Sequence, residues 1–506
     1  SLTKWGLVLA ALAVASKGIG LLRGSLAAYF FGASPELNAY VVAKLVPLLG
    51  LNIFLGAAIV GTFVPAFLRR RQEQGEAEAW RYAGSVGVIV ITASLGLTAA
   101  ALVAAPQLVA LLGPGLDLDT RADATRMLRW VLAALPFLAA STVAAAILNS
   151  HDEFRVPGLR PLVQNGAVVA VLVALGAVIG VDAMILGFVV GSVFQALVQL
   201  PALFRVARGR LGRPRVHAAD LRDIASTYVP IVVTHLLLQS SMAIDRAFAT
   251  VTDSMGAAAV EYAEPFVDVA RTVIGGSLAV VIFPHLSRVA SAGEEDNRLV
   301  GRALGVVSLT TLPLVFAYIA FGSAFVAAVL EHGSFGAQES ALTTAALLGL
   351  APVATLYPML YVLDRMFIAN GRIWTYAAIL AAALGVNIAV KVLLQPSTGL
   401  LGITLGTSIG ALVAVLLGGF LSRPRSATSF VPTALHDIVA VGGCFGIAFA
   451  AASVVSRLAS VPEAVAPYAG LGWSVLAFGV GLVLLHAVSP PAYRAARETL
   501  RQRLQK

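Results

Sequence analysis

The chain has almost none of the parts from which soluble enzymes are built. It holds one cysteine, Cys444, set in an apolar run, which excludes a disulfide framework and a cysteine-ligated metal centre. Charged residues make up 12% of it, roughly half the share of an ordinary soluble domain, so the chain is not a soluble one. Neither G-x-x-x-x-G-K-[ST] nor H-E-x-x-H occurs, so ATP hydrolysis and zinc chemistry have no support and no cofactor is expected. Gly406-Thr407-Ser408-Ile409-Gly410 matches G-x-S-x-G, but a nucleophile elbow needs a strand before it and a helix after it. Here the motif lies inside an apolar run, where small residues let helices pack closely.

What the chain does have is hydrocarbon. Hydrophobic residues are 58% and the mean hydropathy is +0.88. About fourteen apolar runs reach spanning length. They lie near 5–31, 36–68, 82–112, 126–149, 158–181, 183–204, 224–250, 256–286, 301–330, 340–369, 373–394, 399–421, 434–458 and 466–488. Only an all-α bundle satisfies so much backbone within a bilayer. The first run lacks a small-residue cleavage site and is read as a retained span. The pI near 9.9 does not point to nucleic acid, because the basic residues sit in short loops between runs. Arg69 to Arg71 follow the second run, Arg155 and Arg160 the fourth, Arg205 to Arg222 the sixth, Arg288 to Arg302 the eighth, Arg372 the tenth, and Arg423 and Arg425 the twelfth. The other connections, such as Gly32 to Glu36, are nearly free of Lys and Arg. The positive-inside rule then makes every even connection cytoplasmic and predicts both termini there. The tail from Tyr493 to Lys506 reads as a short basic helix on the inner leaflet or as a solvated tail.

Charges inside the runs are the second feature. Lys17 and Arg23 lie within the first run, where a cation costs on the order of 3 kcal/mol at the bilayer centre. On a helix they stand about 9 Å apart along the axis, with Gly18, Gly20 and Gly24 leaving open space beside them. Either they give a membrane cavity positive charge, or they pair with acids for assembly. Other intramembrane charges include Lys44, Asp245, Arg246, Glu261, Glu264, Asp268, Arg271, Asp364, Arg365 and Lys391. The adjacent pairs Asp245-Arg246 and Asp364-Arg365 lie near run ends, where snorkelling satisfies charge. His235 is either a hydrogen-bonded interior residue or a proton relay. The chain also repeats itself with a period of roughly 220 residues. Tyr40 recurs as Tyr262, Pro65 as Pro284, and Ile147-Leu148-Asn149 as Ile368-Ala369-Asn370. Six runs per copy make the repeats parallel, with the substrate path expected between them. The organisation expected is a lobe over 1–204, a basic cytoplasmic linker over 205–223, a second lobe over 224–421, two extra spans over 422–488 and a basic tail over 489–506.

A set of motifs runs through nearly the whole chain. Phe31-Gly32-Ala33-Ser34 precedes Ala39-Tyr40, and Phe63-Val64-Pro65 closes the second run. Leu148-Asn149, Phe154, Pro157, Pro161 and Asn165 mark the fourth loop. Tyr262-Ala263, Pro284-His285-Leu286-Ser287-Arg288 and Gly333-Ser334-Phe335 follow. In these the chain resembles the MurJ (MviN) lipid II flippases of the multidrug/oligosaccharidyl-lipid/polysaccharide exporter superfamily. The resemblance implies two six-helix lobes in a V with pseudo-two-fold symmetry, plus two helices that form a groove for a lipid tail. It implies a transporter, not an enzyme. The transporter would work as a monomer in the bacterial cytoplasmic (inner) membrane, among membrane lipids. Its cargo would be a polyprenyl-diphosphate-linked saccharide carried from the inner to the outer leaflet. With no nucleotide motif, the expected drive is the membrane potential.

Lys17 and Arg23 fall on cationic positions of the family's cavity, which suits a diphosphate. Asn38, Lys44, Asn52 and Glu264 complete the candidate substrate contacts. The chain also departs from the family pattern. The paired arginines of span two fall near Leu51 and Asn52, a glutamate at Gly56, an acid at Gly24, another at Asn38, and the cavity arginine of span eight at Pro265. An exopolysaccharide or other glycan-lipid flippase and a multidrug or metabolite antiporter are therefore the competing readings. In parts of the family sodium is held by residues that correspond here to Asp245, Asn387, Lys391 and Thr407. The second acid has become lysine, so the resemblance implies an ammonium that replaces the ion and pairs with Asp245. Alternatively, Lys391 snorkels to the outer surface.

Overall fold

The computed structural model describes residues 2–50, 57–207, 218–270, 297–422, 431–459, 461–462, 465–488, 490 and 493–494. Every regular element among them is helical. Ten helical runs are long and apolar enough to cross a bilayer, and they coincide with the third to sixth and ninth to fourteenth runs of the sequence. The other four include residues whose backbone or side chains lie outside the described set. By internal contacts the chain divides into two units, Ser1–Ala258 and Ala259–Lys506.

The first unit holds α1 (Leu2–Phe31), α2 (Pro35–Gly50), α3 (Ala57–Glu73), α4 (Glu76–Val103), α5 (Ala105–Leu112), α6 (Leu118–Val131), α7 (Leu135–Asn149), α8 (Arg155–Gly158), α9 (Arg160–Ile179), α10 (Asp182–Leu197), α11 (Leu200–Ala207) and α12 (Ala218–Thr252). The helix of the seventh run therefore groups with the first six. The third run is two helices, broken at Ala104, and the fourth is α6 and α7 joined by a 3-10 turn at Leu132–Ala134. Pro106 and Pro136 account for the breaks, because each sits in the first turn of the following helix, where its missing N–H costs nothing. The start of α6 is fixed by Asp117, whose carboxylate accepts from the Thr120 N–H at 2.9 Å and its hydroxyl at 2.8 Å. The backbone bond leads in holding that exposed carboxyl below its ordinary range.

The helix α13 (Gly256–Ala270) begins at the division between the units. The second unit continues with α14 (Asn297–Leu330), α15 (Ala337–Leu350), α16 (Val353–Ala369), α17 (Ile373–Thr398), α18 (Leu400–Leu421), α19 (Val431–Leu458) and α20 (Ala466–Val488). The tenth run is broken where the fourth is, with Pro352 at the N-cap of α16. Among the described spans these two broken runs are the most enclosed, 78% buried for α6–α7 and 72% for α15–α16. The windows of α9 and α20, at 17% and 22%, offer most of their surface to lipid. The repeat also shows in the backbone. Asp152 (φ 59) and Gly371 (φ 68) take left-handed positions after the fourth and tenth runs, and Gly180 (φ 61) and Gly399 (φ 57) do so between the last two runs of each repeat. Glycine takes that conformation freely, and aspartate is among the few other residues that visit it.

The last two runs of each repeat, α9 with α10 and α17 with α18, are also the most closely packed pairs. Small residues permit it. A Cβ on Gly187 would lie 2.8 Å from the Val168 Cα, and one on Gly410 would lie 2.7 Å from the Asn387 Cβ. Gly406 faces the Lys391 Cγ at 2.7 Å in the same sense. The G-x-S-x-G motif is thus a helix-packing stripe. The two extra helices pack on each other and on α14, with Phe445 and Phe449 against Phe321 and Leu485. Gly410→Ala should lower the unfolding free energy in detergent by about 1–3 kcal/mol, the usual cost of overpacking. Gly385→Ala, where no atom lies within 4 Å, is the control and should cost less than Gly410→Ala. Equal effects of the two substitutions would contradict this account of the α17–α18 interface.

Candidate functional site

In the first unit the site grows from a contact between α1 and α9. Asn165 on α9 stands against α1, with its Nδ2 3.7 Å from where a Cβ on Gly20 would be, an ordinary packing distance. Asn165 then reaches two turns of α1 at once. Its Nδ2 donates to the Ser16 carbonyl at 3.4 Å and to the Ser16 Oγ at 3.5 Å, while its Oδ1 accepts from the Arg23 Nη1 at 3.1 Å. Ser16 is buried, and Arg23 and Lys17 are half-buried. Positions 18 and 24 have no heavy atom within 4 Å of where a Cβ would be, so open space flanks both cations. Among the described residues no carboxylate pairs with Arg23, and its partner is a neutral amide. The amide orients the guanidinium and, being neutral, brings no negative charge to it. In an apolar setting such a charge favours an anion, with Arg able to grip a phosphate through two donors.

The other candidates for head-group contact are differently placed. Lys44 on α2 is buried, with its ammonium 5.4 Å from the centre of the Tyr40 ring. Asn38 is buried, and both ends of its amide are engaged with backbone. Its Oδ1 accepts from the Ala258 N–H at 2.6 Å, and its Nδ2 donates to the Ser254 carbonyl. It acts as a cap contributed from a distant helix, tying the turn before α13 to α2. Glu264 is half-buried on α13. Asn52 lies outside the described residues, as do Leu51, Gly56 and Arg271.

The second unit brings three nominated residues together. Lys391 is completely buried, so it does not snorkel, and Asn387 and Thr407 are buried beside it. The ammonium donates to the Asn387 Oδ1, one turn before it on α17, and to the Thr407 Oγ1 on α18 at 3.0 Å. Two of the oxygens that a sodium ion would use, those of Asn387 and Thr407, are thus taken up by an ammonium, and a fixed positive charge lies beside them. These residues do not fit a sodium ion. Asp245 is buried on α12, in the first unit. Its neighbour Arg246 is buried as well, so neither reaches the surface by snorkelling. Arg365 is the more exposed member of the other adjacent pair and stands 3.8 Å from Asp364. His235 has its Nδ1 on the Ile231 carbonyl at 3.0 Å, the hydrogen-bonded interior arrangement.

Two clusters escape the sequence reading. Arg160 counts there as a loop charge, yet it opens α9 and donates to the Ser141 Oγ at 2.8 Å and the Thr142 Oγ1 at 3.0 Å. His151 completes a triangle of rings with Phe67 and Trp80, 5.2 and 5.3 Å from their centres, and nearby Arg70 caps Tyr82 at 4.0 Å. Aromatic residues recurring around Arg70 and Trp80 are the only trace of it in the sequence.

The model of one family, described as lipid II flippase MurJ, matches residues 27–466. The lipid II flippase MurJ of Burkholderia cenocepacia is 26% identical over 414 residues, 79% of this chain and 80% of that protein. The corresponding protein of Thermosipho africanus is 21% identical over 432 residues, covering 84% and 86%. A solved structure of a lipid II flippase MurJ in an inward closed conformation superposes with a TM-score of 0.80 at 19% identity, over 94% of this chain and 98% of that one. An inward-facing multidrug resistance transporter of the MATE family and MOP superfamily shares the fold more loosely, with a TM-score of 0.61 at 18% identity over 82% and 93%. Independently of these likenesses, Asn387→Ala should destabilise the chain by about 1.5–3 kcal/mol, the worth of a hydrogen bond to a charged group. Adding Lys391→Met should recover part of that loss, because it removes the ammonium that has lost one of its acceptors. A double variant no more stable than Asn387→Ala alone would show that the ammonium does not depend on Asn387.

Proposed function

The chain belongs to the lipid II flippase MurJ family, and on that footing we propose that it carries a polyprenyl-diphosphate-linked saccharide, lipid II in the first instance, from the inner to the outer leaflet. It is a transporter of the bacterial inner membrane and not an enzyme. The observation that carries the reading is Arg23, directed by Asn165 and uncompensated by any carboxylate among the described residues. A diphosphate brings the negative charge that such a cation lacks. Lys17, six residues earlier on α1 and next to the open position 18, adds a second positive charge. The saccharide gives the protein many hydroxyls to meet, but the diphosphate is the feature common to all lipid-linked glycans of this class. A cationic pocket therefore selects the class, and contacts to the sugar select the member.

The drive follows from charge. A cytoplasm-negative potential favours outward movement of an anionic head by about 2.3 kcal/mol per charge per 100 mV if the whole field is crossed. With the Asn387 and Thr407 oxygens held by the Lys391 ammonium, transport does not depend on sodium. The two extra helices α19 and α20 are the expected seat of the lipid tail, packed as they are on α14.

Arg23→Ala should abolish flipping in proteoliposomes that report leaflet exchange, while leaving the protein folded and inserted. Full transport by that variant would remove the basis of the proposal. In the same vesicles the wild-type rate should fall when the potential is dissipated and should not change with sodium at constant potential. A rate that rises saturably with sodium, or one indifferent to potential, would overturn the account of the drive.

A further inference from the structure

Arg160 is a half-buried cation at the start of α9, and its role is not accounted for by the cargo site. Its Nε and Nη2 donate to the hydroxyls of Ser141 and Thr142, and the Gln199 Nε2 donates to the same Ser141 Oγ at 2.8 Å. These partners are neutral, and among the described residues no carboxylate pairs with Arg160. A charge beside hydrocarbon with only hydroxyls around it is costly unless an anion approaches. Starting three residues further along α9, at Val163, α9 and α10 enclose an apolar groove of about 810 Å³, lined by residues that include Val163, Ala167, Ala170, Phe194 and Leu197. Ala170, Phe194 and Leu197 are exposed, so the groove opens toward lipid.

The dimensions fit one acyl chain. From Val163 to Leu175 the groove runs along α9 for about 18 Å at 1.5 Å per residue. One leaflet contributes about half of a hydrocarbon core that is roughly 30 Å thick. Val163, the lining residue nearest Arg160 in sequence, lies toward the end of α9 that follows the basic fourth loop. Arg205 is exposed on α11 at the same end of α10, which the positive-inside rule places at the cytoplasmic face. The helical turn also separates this groove from the cargo site. At 100° per residue, Arg160, Ala167 and Ala170 fall on one side of α9, and Asn165, which holds Arg23, falls on the other.

We propose that the α9–α10 groove is a resident lipid site for an anionic phospholipid of the cytoplasmic leaflet, with the phosphate at Arg160 and one acyl chain along Val163 to Leu175. Basic pockets between spans on the cytoplasmic side are suited to such head groups. The bound lipid would tie α7, α9 and α10 together at the level of the Ser141–Gln199 contact. The inference rests on the membrane orientation that underlies the proposed function, and not on what the cargo is.

The full-length protein, purified in detergent, is titrated with dioleoyl phosphatidylglycerol and, separately, dioleoyl phosphatidylcholine, and the bound lipid is counted by native mass spectrometry. One phosphatidylglycerol should bind in preference to phosphatidylcholine. Arg160→Gln should weaken phosphatidylglycerol binding about five-fold, the worth of one cation at a membrane surface, and leave phosphatidylcholine unchanged. Ala170→Phe fills the groove from its exposed side and should remove the preferred lipid while Arg23-dependent flipping survives. Equal binding of the two lipids by the wild type would overturn the proposal, and so would unchanged phosphatidylglycerol binding in Ala170→Phe. Displacement of the phosphatidylglycerol by a soluble prenyl diphosphate, in wild type and Arg23→Ala alike, would reassign the groove to the cargo's tail and overturn it too. Failure of flipping in Arg23→Ala with lipid binding intact separates the two sites.

Discussion

A cation held in hydrocarbon must be answered by something, and the way this chain answers three of them explains most of its architecture. Lys391, completely buried, donates to an amide on its own helix and to a hydroxyl on the next. Arg160 is met by two hydroxyls at the membrane's edge. Arg23 is steered by an amide, and among the described residues no carboxylate answers its charge. Burial without an acid makes a charge expensive, and the expense is recovered only when an anion arrives. A transporter can use that, because the same site must bind its cargo and then let it go.

These arrangements depend on how closely helices approach. Glycines 402, 406 and 410 bring α18 onto α17, so that Thr407 reaches Lys391. Gly187 and Gly191 do the same for α10 against α9. Small residues in membrane helices permit dispersion contact and backbone proximity where no hydrophobic drive exists between helices. They also place polar side chains within hydrogen-bonding distance across an interface. Packing and chemistry are therefore the same feature here, and a methyl group added to the stripe at Gly406 would press on both the helix pair and the lysine.

Much of this is legible in the sequence. Apolar runs and basic loops are one-dimensional properties, so the helices and the expected orientation can be read from them. Lys391 and Asn387 stand one helical turn apart, and their contact follows from that spacing. The breaks at Pro106, Pro136 and Pro352 are invisible to hydropathy, because proline is apolar enough to continue a run while lacking the N–H that continues a helix. Long-range contacts are harder still. Asn38 stands in a family motif and reads as a head-group contact, but its amide is engaged by the backbone at Ser254 and Ala258, which nothing in the neighbouring residues foretells. Asn165 is visible as a motif residue, while its role as the guide of Arg23 needs α9 to lie against α1. Arg160 is taken for a loop charge because a run's edge is uncertain by a turn, and one turn decides whether it faces water or Ser141.

The central claim is that an uncompensated Arg23 recognises a diphosphate on a lipid. The most direct test is the affinity of the purified protein in lipid nanodiscs for a short-chain prenyl diphosphate, compared with the prenyl alcohol of the same length. The wild type should bind the diphosphate at least about ten-fold more tightly, as loss of a charge-assisted hydrogen bond implies. Arg23→Gln should bind the two ligands nearly alike. Discrimination that is absent in the wild type, or undiminished in Arg23→Gln, would contradict the account.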